Sequence, residues 1–289
     1  MTKTLPIIVI TGPTASGKTK KSIQLAKLLN AEIVCADSRI IYKGFDIASA
    51  KPALQEREGV KHHLIDILEP LELFSAGDFV QYARKAMDDI KSRGKNVIIS
   101  GGTWFYIKSL LDDEELPNAA KNPELRAELE KKSSTELWNM LKTLDAKRAE
   151  VVHPNNAEKI IRSIEMCKAL GYPISEHKRD KNSANNAVWF APDINREDLY
   201  KRINERVDIM MSAGLKEEFD RLIEKYGPNE IISSTIGYRE FLENENTRDA
   251  VGKIKQHTRN YAKRQLSWLK NNANINFADF ENYNFKQLL

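Results

Sequence analysis

Cysteine is scarce in this chain of 289 residues. Only Cys35 and Cys167 are present, far apart and without a CxxC pair. A disulfide scaffold and a thiolate zinc site are thereby excluded, and free thiols in a reducing cytoplasm are expected. The five histidines, His62, His63, His153, His177 and His257, have no metal-ligand spacing, and the adjacent pair would point to opposite faces of a strand. No apolar run approaches the ~18–20 residues needed to span a bilayer. Leu5–Ile10 is too short for a signal peptide and runs into a glycine loop, not a cleavage site. Charge of one sign is also lacking: the net value is +4, so a polyanionic partner has to be sought in the placement of charge. There is no internal repeat. What is present, 41% hydrophobic and 30% charged residues, suits a globular protein of one large domain or about two ordinary ones.

The first hundred residues alternate strand and helix. Leu5–Thr11 is a continuous apolar, β-branched run, as expected of a central parallel strand buried on both faces. After a glycine loop, Lys18–Leu29 carries Ile23, Ala26 and Leu29 at helical spacing. Ala31–Ala36 and His63–Leu68 read as strands, Ala76–Arg93 as an amphipathic helix, and Asn96–Ser100 as a buried strand ending in Gly101-Gly102-Thr103. This order predicts an α/β fold with a P-loop NTPase-like parallel sheet flanked by helices. From Asn122 to about Ala169 the pattern is charged helix without strands, which predicts an inserted all-helical subdomain. The expected division is a core of 1–111 and 188–289 with an insertion at 112–187. Lys181–Ala187 reads as a linker, Val188–Ala191 as a returning strand, and Arg196–Tyr226 and Thr247–Asn272 as long helices.

Gly12-Pro13-Thr14-Ala15-Ser16-Gly17-Lys18-Thr19 matches GxxxxGK[ST] between a strand and a helix. Loop amides and the helix N-terminus favour phosphate, Lys18 adds a cation, and the Thr19 hydroxyl can hold Mg²⁺. A Walker-type NTPase would add an apolar strand ending in Asp, but Asn96–Ser100 ends in Gly101-Gly102-Thr103 instead. Asp37 stands just beyond the second strand, where ligands collect in an open α/β sheet, so it is a candidate base or metal ligand. The competing reading is an Asp that caps the next turn. In the last long helix, Lys253, Lys255, Arg259, Lys263, Arg264 and Lys270 occur with no acid between Lys253 and Phe277. Lys255, Arg259 and Lys263 share a face suited to an RNA backbone, while Ile254, Tyr261 and Trp268 can face the core.

Together with these features, the order of several further segments resembles the tRNA dimethylallyltransferase (tRNA isopentenyltransferase) family from the first strand to about Lys270. They include Asp37–Gly44, Ala50-Lys51-Pro52, His63–Asp66, Gly101-Gly102-Thr103, His153-Pro154-Asn155, Arg202-Ile203, Arg206-Val207, Ile236–Glu240 and Ala262–Gln265 with Trp268. The resemblance implies an enzyme that transfers a dimethylallyl group from dimethylallyl diphosphate to the exocyclic N6 of the tRNA adenosine next to the anticodon. The P-loop, Gly12 to Thr19, would hold the diphosphate with Mg²⁺ instead of using ATP as a phosphoryl donor. Lys18, Asp37 and Thr103 would be catalytic, with Asp37 as the base. Contacts to the anticodon stem-loop are implied for Asp37, Ser38, Arg39, Ile40 and Thr103, for Glu158, Lys159 and Arg162, and for Gly237, Tyr238, Arg239, Lys263, Arg264, Gln265 and Trp268. A cytoplasmic monomer is expected.

The sequence departs from the family at several places. Trp104 stands where small or aliphatic residues are usual, which would narrow the prenyl channel. Glu158-Lys159 replaces a Gln-Arg pair, Ser234 an arginine of some relatives, and Ile40 a frequent glutamine. The target adenine must leave its stack, and of Tyr42, Trp104, Phe105 and Tyr106 at most one is expected to receive it. The rival readings are an adenylate dimethylallyltransferase acting on free AMP, a P-loop kinase with a helical lid, and an RNA-binding protein with a decayed loop. The basic helix, the missing Walker B strand and the intact loop weigh against them in turn.

Overall fold

A computed structural model describes residues 5–111, 122–177, 187–272 and 274–279. The chain divides into two compact units, one within Met1–Asp112 and Ser183–Leu289, the other within Asp113–Asn182. In chain order the elements are β1 (Ile7–Thr11), α1 (Lys18–Leu28), β2 (Ala31–Cys35), β3 (His62–His63), α2 (Ala76–Ser92), β4 (Asn96–Gly101) and α3 (Trp104–Leu111). There follow α4 (Pro123–Leu129), α5 (Ser134–Leu144), α6 (Ala146–Val151) and α7 (Ala157–Leu170). The chain then returns through β5 (Ala187–Pro192), α8 (Arg196–Ser212), α9 (Leu215–Tyr226), α10 (Glu230–Ser233), α11 (Arg239–Glu243), α12 (Thr247–Lys270) and β6 (Ile275–Ala278).

The larger unit is built on a parallel sheet in the order β3-β2-β4-β1-β5-β6. β1 lies between β4 and β5, with Val9 opposite both Ile99 and Trp189. All five of its residues are buried, which is why its sequence is apolar throughout with no alternation. α2 begins with a reciprocal capping box: the Asp78 amide donates to Ser75 Oγ (3.2 Å) and the Ser75 amide to Asp78 Oδ2 (2.8 Å).

Two strand expectations change. His63–Leu68 does not form a long strand, because Leu64 (φ 64°) and Asp66 (φ 55°) turn the backbone left-handed. The segment pairs with the Ile40–Ile41 turn instead, where the Asp66 amide donates to the Ile40 carbonyl and the Ile67 amide to that of Ile41. Only His62–His63 joins the sheet. Conversely, β6 arises from a polar stretch that the sequence pattern passes over. It pairs with β5, Ile275 opposite Trp189, and its Ile275 and Ala278 are buried while the two residues between are exposed.

The smaller unit is helical. Leu129, Leu137, Leu141, Ile160, Ile161 and Ile164 form its core. α5 starts with a second capping box, Ser133 with Glu136. The buried Asp145 caps α6 by accepting from the Arg148 amide (2.9 Å) and also accepts from the Ser175 amide (2.8 Å) and hydroxyl (2.7 Å). One carboxylate thus ties the start of α6 to the turn that follows α7. Of the predicted linker Lys181–Ala187, only Ala187 lies within the described residues, as the first residue of β5. No helix among the described residues is long and apolar enough to cross a membrane.

Candidate active site

The phosphate loop leaves β1 and enters α1 through Gly17, which is left-handed (φ 86°). Ser16 Oγ donates to the Pro13 carbonyl (2.7 Å), and Lys18 Nζ folds back onto the same oxygen (2.5 Å). Beside the loop is a cavity of about 340 Å³ that includes Thr14, Lys18 and Thr19 in its lining. Five cations border it, Lys18, Arg39, Arg206, Arg239 and Arg264, against one acid, Asp37. Such a wall attracts a polyanion and leaves one base to act on it.

Asp37 is positioned by backbone. Its Oδ1 accepts from the amides of Arg39 (2.8 Å) and Ile40 (3.4 Å), so the turn-capping reading is correct for that oxygen. Oδ2 has no hydrogen bond among the described residues, and the carboxylate borders the cavity. The two readings of Asp37 are therefore compatible.

The structure also explains Gly101-Gly102-Thr103. A Cβ on Gly101 would sit 2.0 Å from the Ala36 carbonyl oxygen, and one on Gly102 would sit 2.5 Å from Gln265 Nε2. The Thr103 amide donates to the Ala36 carbonyl (3.1 Å), and Thr103 Oγ1 accepts from the Ser38 amide (3.2 Å). The segment thus locks the end of β4 against the residues on either side of Asp37.

Two groups in this cavity, Arg206 and Tyr261, escaped sequence reasoning. Arg206 of α8 is enclosed enough that desolvation lowers its pKa, with Asp37 and then Glu56 opposing. The available signal was its place beside Val207, four residues after Arg202-Ile203, on the edge of an apolar stripe. Lys18 falls from 10.5 to about 7, chiefly through desolvation, with Arg206 lowering it further and Asp37 opposing. Tyr261, expected to face the core, borders the cavity. Its hydroxyl is pushed up to about 12 by desolvation and then by Asp37, with a hydrogen bond to Thr103 acting the other way.

Gln265, which the resemblance places at RNA, has partners within the chain. Buried in α12, it accepts from the Thr14 amide on Oε1 (3.0 Å) and donates from Nε2 to the Gly102 carbonyl (2.9 Å). Both ends of its amide thus brace the phosphate loop, and the residue also borders the cavity. Tyr238 also has a partner within the chain. It is fully buried, and its hydroxyl donates to Glu218 (2.6 Å). Trp268, partly buried, stacks on Trp104 (4.6 Å, 16°) and packs on the Ala191–Leu269–Ile275 core cluster. Trp104 is not among the residues that border the cavity.

Of the other residues expected at RNA, Ser38, Arg39, Ile40, Gly237, Arg239 and Arg264 border the cavity, while Lys263 is exposed on α12. Arg39 Nη2 donates to the Ser234 hydroxyl (3.1 Å) and carbonyl (3.3 Å), which gives Ser234 a partner in this chain. In the helical unit, Glu158 and Lys159 are exposed in the first turn of α7, and Arg162 lies 3.4 Å from the buried Glu165. Lys255 pairs with Asp208 (2.6 Å), and Arg259 Nη1 donates to Asn204 (2.7 Å). Both bind α8, so the proposed basic face is reduced. Of the four aromatic residues considered for stacking, Tyr42 and Tyr106 are buried, Trp104 is stacked on Trp268, and Phe105 is exposed. No group of three or more His, Cys, Asp or Glu among the described residues is arranged to hold a metal.

A parallel α/β sheet carrying a phosphate loop, with a cationic cavity and a single carboxylate beside it, defines a P-loop protein that handles a phosphorylated substrate. Its Walker B position is taken by Ser100, whose hydroxyl accepts from Ser22 (2.7 Å). Comparison with known proteins narrows this class. The family model described as IPP transferase matches residues 40–272. The tRNA dimethylallyltransferase of Bacillus subtilis is 41% identical over 284 residues, covering 95% of this chain and 90% of that protein. That of Staphylococcus aureus is 39% identical over 303 residues, covering 100% and 97%. Among solved structures, the full-length tRNA isopentenylpyrophosphate transferase of Bacillus halodurans matches with a TM-score of 0.71 at 36% identity, covering 98% of this chain and 92% of that one. A eukaryotic dimethylallyltransferase described as acting on tRNA gives 0.81 at 30% identity, covering 91% and 69%. The chain belongs to the IPP transferase family.

Proposed function

We propose that the protein transfers the dimethylallyl group of dimethylallyl diphosphate to N6 of the adenosine next to the anticodon in tRNA. The observation that carries this reading is the single carboxylate, Asp37, beside a phosphate loop in a cavity whose other charged residues are Lys18 and four arginines. Family membership supports the reaction class.

An adenine amine is a weak nucleophile, because its lone pair is delocalised into the ring. An allylic diphosphate compensates, since positive charge spreads over the allyl group as its carbon–oxygen bond breaks. The loop amides, Lys18 and Arg206 surround the position where the departing diphosphate gathers negative charge. As N6 forms its bond to the allylic carbon, the diphosphate leaves with the electron pair of the broken bond. Asp37 takes the amine proton. Thr103, held by the Ser38 amide and bonded to Tyr261, fixes the wall beside Asp37.

Mg²⁺ suits this donor set. Thr19 and Asp37 are hard oxygen donors bordering the cavity. A single protein carboxylate is enough for an ion that keeps several waters and shares substrate phosphates. When bound, it neutralises charge on the diphosphate. The protein is read as a monomer acting in the cytoplasm, where tRNA is found.

The test is mass spectrometry of nucleosides from tRNA incubated with protein, dimethylallyl diphosphate and Mg²⁺, with AMP assayed in parallel. N6-isopentenyladenosine in tRNA is expected. Transfer to AMP with none to tRNA hands the case to the adenylate enzyme, and stoichiometric ATP consumption to a kinase.

A further inference from the structure

The cavity has a second wall, remote in sequence from the phosphate loop. It is built from Ala48, Ser49 and Ala50 on one segment and from Gly237 and Arg239 on another. The two segments touch: a Cβ on Gly237 would lie 3.4 Å from that of Ala48. Neither belongs to a strand, and what holds them lies outside the cavity lining.

That group is Glu218 of α9, which is 3% exposed. Its Oε2 accepts from the amides of Asp46 (3.0 Å) and Ile47 (2.8 Å). Its Oε1 accepts from the Ala48 amide (3.0 Å) and the Tyr238 hydroxyl (2.6 Å). Three consecutive amides converging on one point make a concave anion-binding nest, and here the chain fills that nest with its own carboxylate. All four partners are neutral dipoles. The same carboxylate raises the pKa of Tyr238, after desolvation. A buried carboxylate is costly unless fully hydrogen-bonded, so its four donors keep both segments in register.

We propose that Glu218 is a positioning residue for RNA, one that sets the acceptor wall of the cavity by tying the 46–48 turn and Tyr238 to one carboxylate. The proposal rests on the prenyl-transfer reading above. The phosphate loop is braced separately, by Gln265. Loss of the Glu218 tie therefore displaces the wall facing the nucleoside and leaves the diphosphate subsite as it was.

Glu218→Gln is the discriminating variant, because it preserves size while presenting an NH₂ group to donors that need an acceptor. Tyr238→Phe removes one donor and leaves the nest. In Glu218→Gln, kcat/KM for tRNA is expected to fall roughly 10–100-fold, as for a misplaced reacting group. Inhibition by pyrophosphate should stay within about twofold of wild type, because the phosphate loop is untouched. Tyr238→Phe should show a smaller loss of the same kind. Hydrogen exchange at the Asp46, Ile47 and Ala48 amides should accelerate in Glu218→Gln. Unchanged kcat/KM for tRNA overturns the proposal. So does a parallel loss of pyrophosphate and tRNA affinity, since that is the mark of general destabilisation. If Glu218→Gln does not fold, Tyr238→Phe decides, and an unchanged kcat/KM there is the overturning result. Should wild type transfer no prenyl group to tRNA, the functional reading itself fails, whereas unchanged amide exchange in a folded Glu218→Gln protein counts against the Glu218 tie alone.

Discussion

Lys18 carries opposite demands, since phosphate binding wants its charge and its enclosure penalises that charge. In the unfolded chain the amine keeps its proton up to about pH 10.5, and in the fold it releases it near 7. Between those values the unfolded state binds more protons, so stability rises with pH across that window. Lys18→Met should therefore raise the melting temperature of the ligand-free protein below pH 7. The gain should fade as pH climbs from 7 towards 10.5. Circular dichroism melts across that range check this, and a gain independent of pH would refute the assignment. The same variant should lose pyrophosphate binding by calorimetry. At Asp37 the expected signature is kinetic. Asp37→Ala should reduce kcat by roughly 100-fold or more with little change in tRNA affinity, measured by prenyl transfer and filter binding. Near-normal turnover would mean that another group takes the proton.

At the level of elements, α12 has two faces with separate tasks. Gln265 turns inward to the phosphate loop, while Lys263 and Arg264 are exposed, Arg264 at the border of the cavity. Gln265→Leu keeps the volume but leaves the Thr14 amide and the Gly102 carbonyl unpaired, at a cost of about 1–3 kcal/mol. Weaker pyrophosphate binding and a lower melting temperature are expected together. On the outer face, replacing Lys263 and Arg264 by alanine should flatten the salt dependence of tRNA binding by about one to two units if each meets one phosphate. Filter binding over a salt series tests this. Replacing Lys255 and Arg259 should act differently, because they hold α8 through Asp208 and Asn204. For them the expected change is in melting temperature more than in salt slope, and the reverse result would restore the wider basic face.

At the scale of the whole molecule, the two units have cores of their own, and the residues named for diphosphate binding belong to one of them. Ligand bound to the native state stabilises the unit that holds it. Pyrophosphate with Mg²⁺ should therefore slow hydrogen exchange in the phosphate loop and α1, while exchange at Leu141, Ile160 and Ile164 stays as it was. Equal protection in both units would show that they unfold as one.

Much of this molecule was legible from one dimension. The phosphate loop, the buried β1 and β4 and the all-helical insertion rest on local spacing, because strand period, helix period and turn chemistry are properties of neighbouring residues. Asp37 was found in the same way, by its position just past a strand end. The segment after His63 was misread because its apolar residues mimic a strand while Leu64 and Asp66 turn left-handed. β6 was missed because a four-residue edge strand with two exposed positions carries almost no pattern. Tertiary structure alone decided which side chains meet the loop. Gln265 reaches Thr14 across 251 residues and Gly102 across 163. Arg206 and Tyr261 likewise come to the cavity from α8 and α12, and Glu218 joins two segments from a third element. Sequence offered Gln265, Tyr238 and Trp268 to RNA without showing that each also has a partner within the protein. The physical reason is that a long polar or aromatic side chain reads alike whether it ends in solvent, at a ligand or on a buried backbone group. Only the close approach of distant elements fixes which of these it finds.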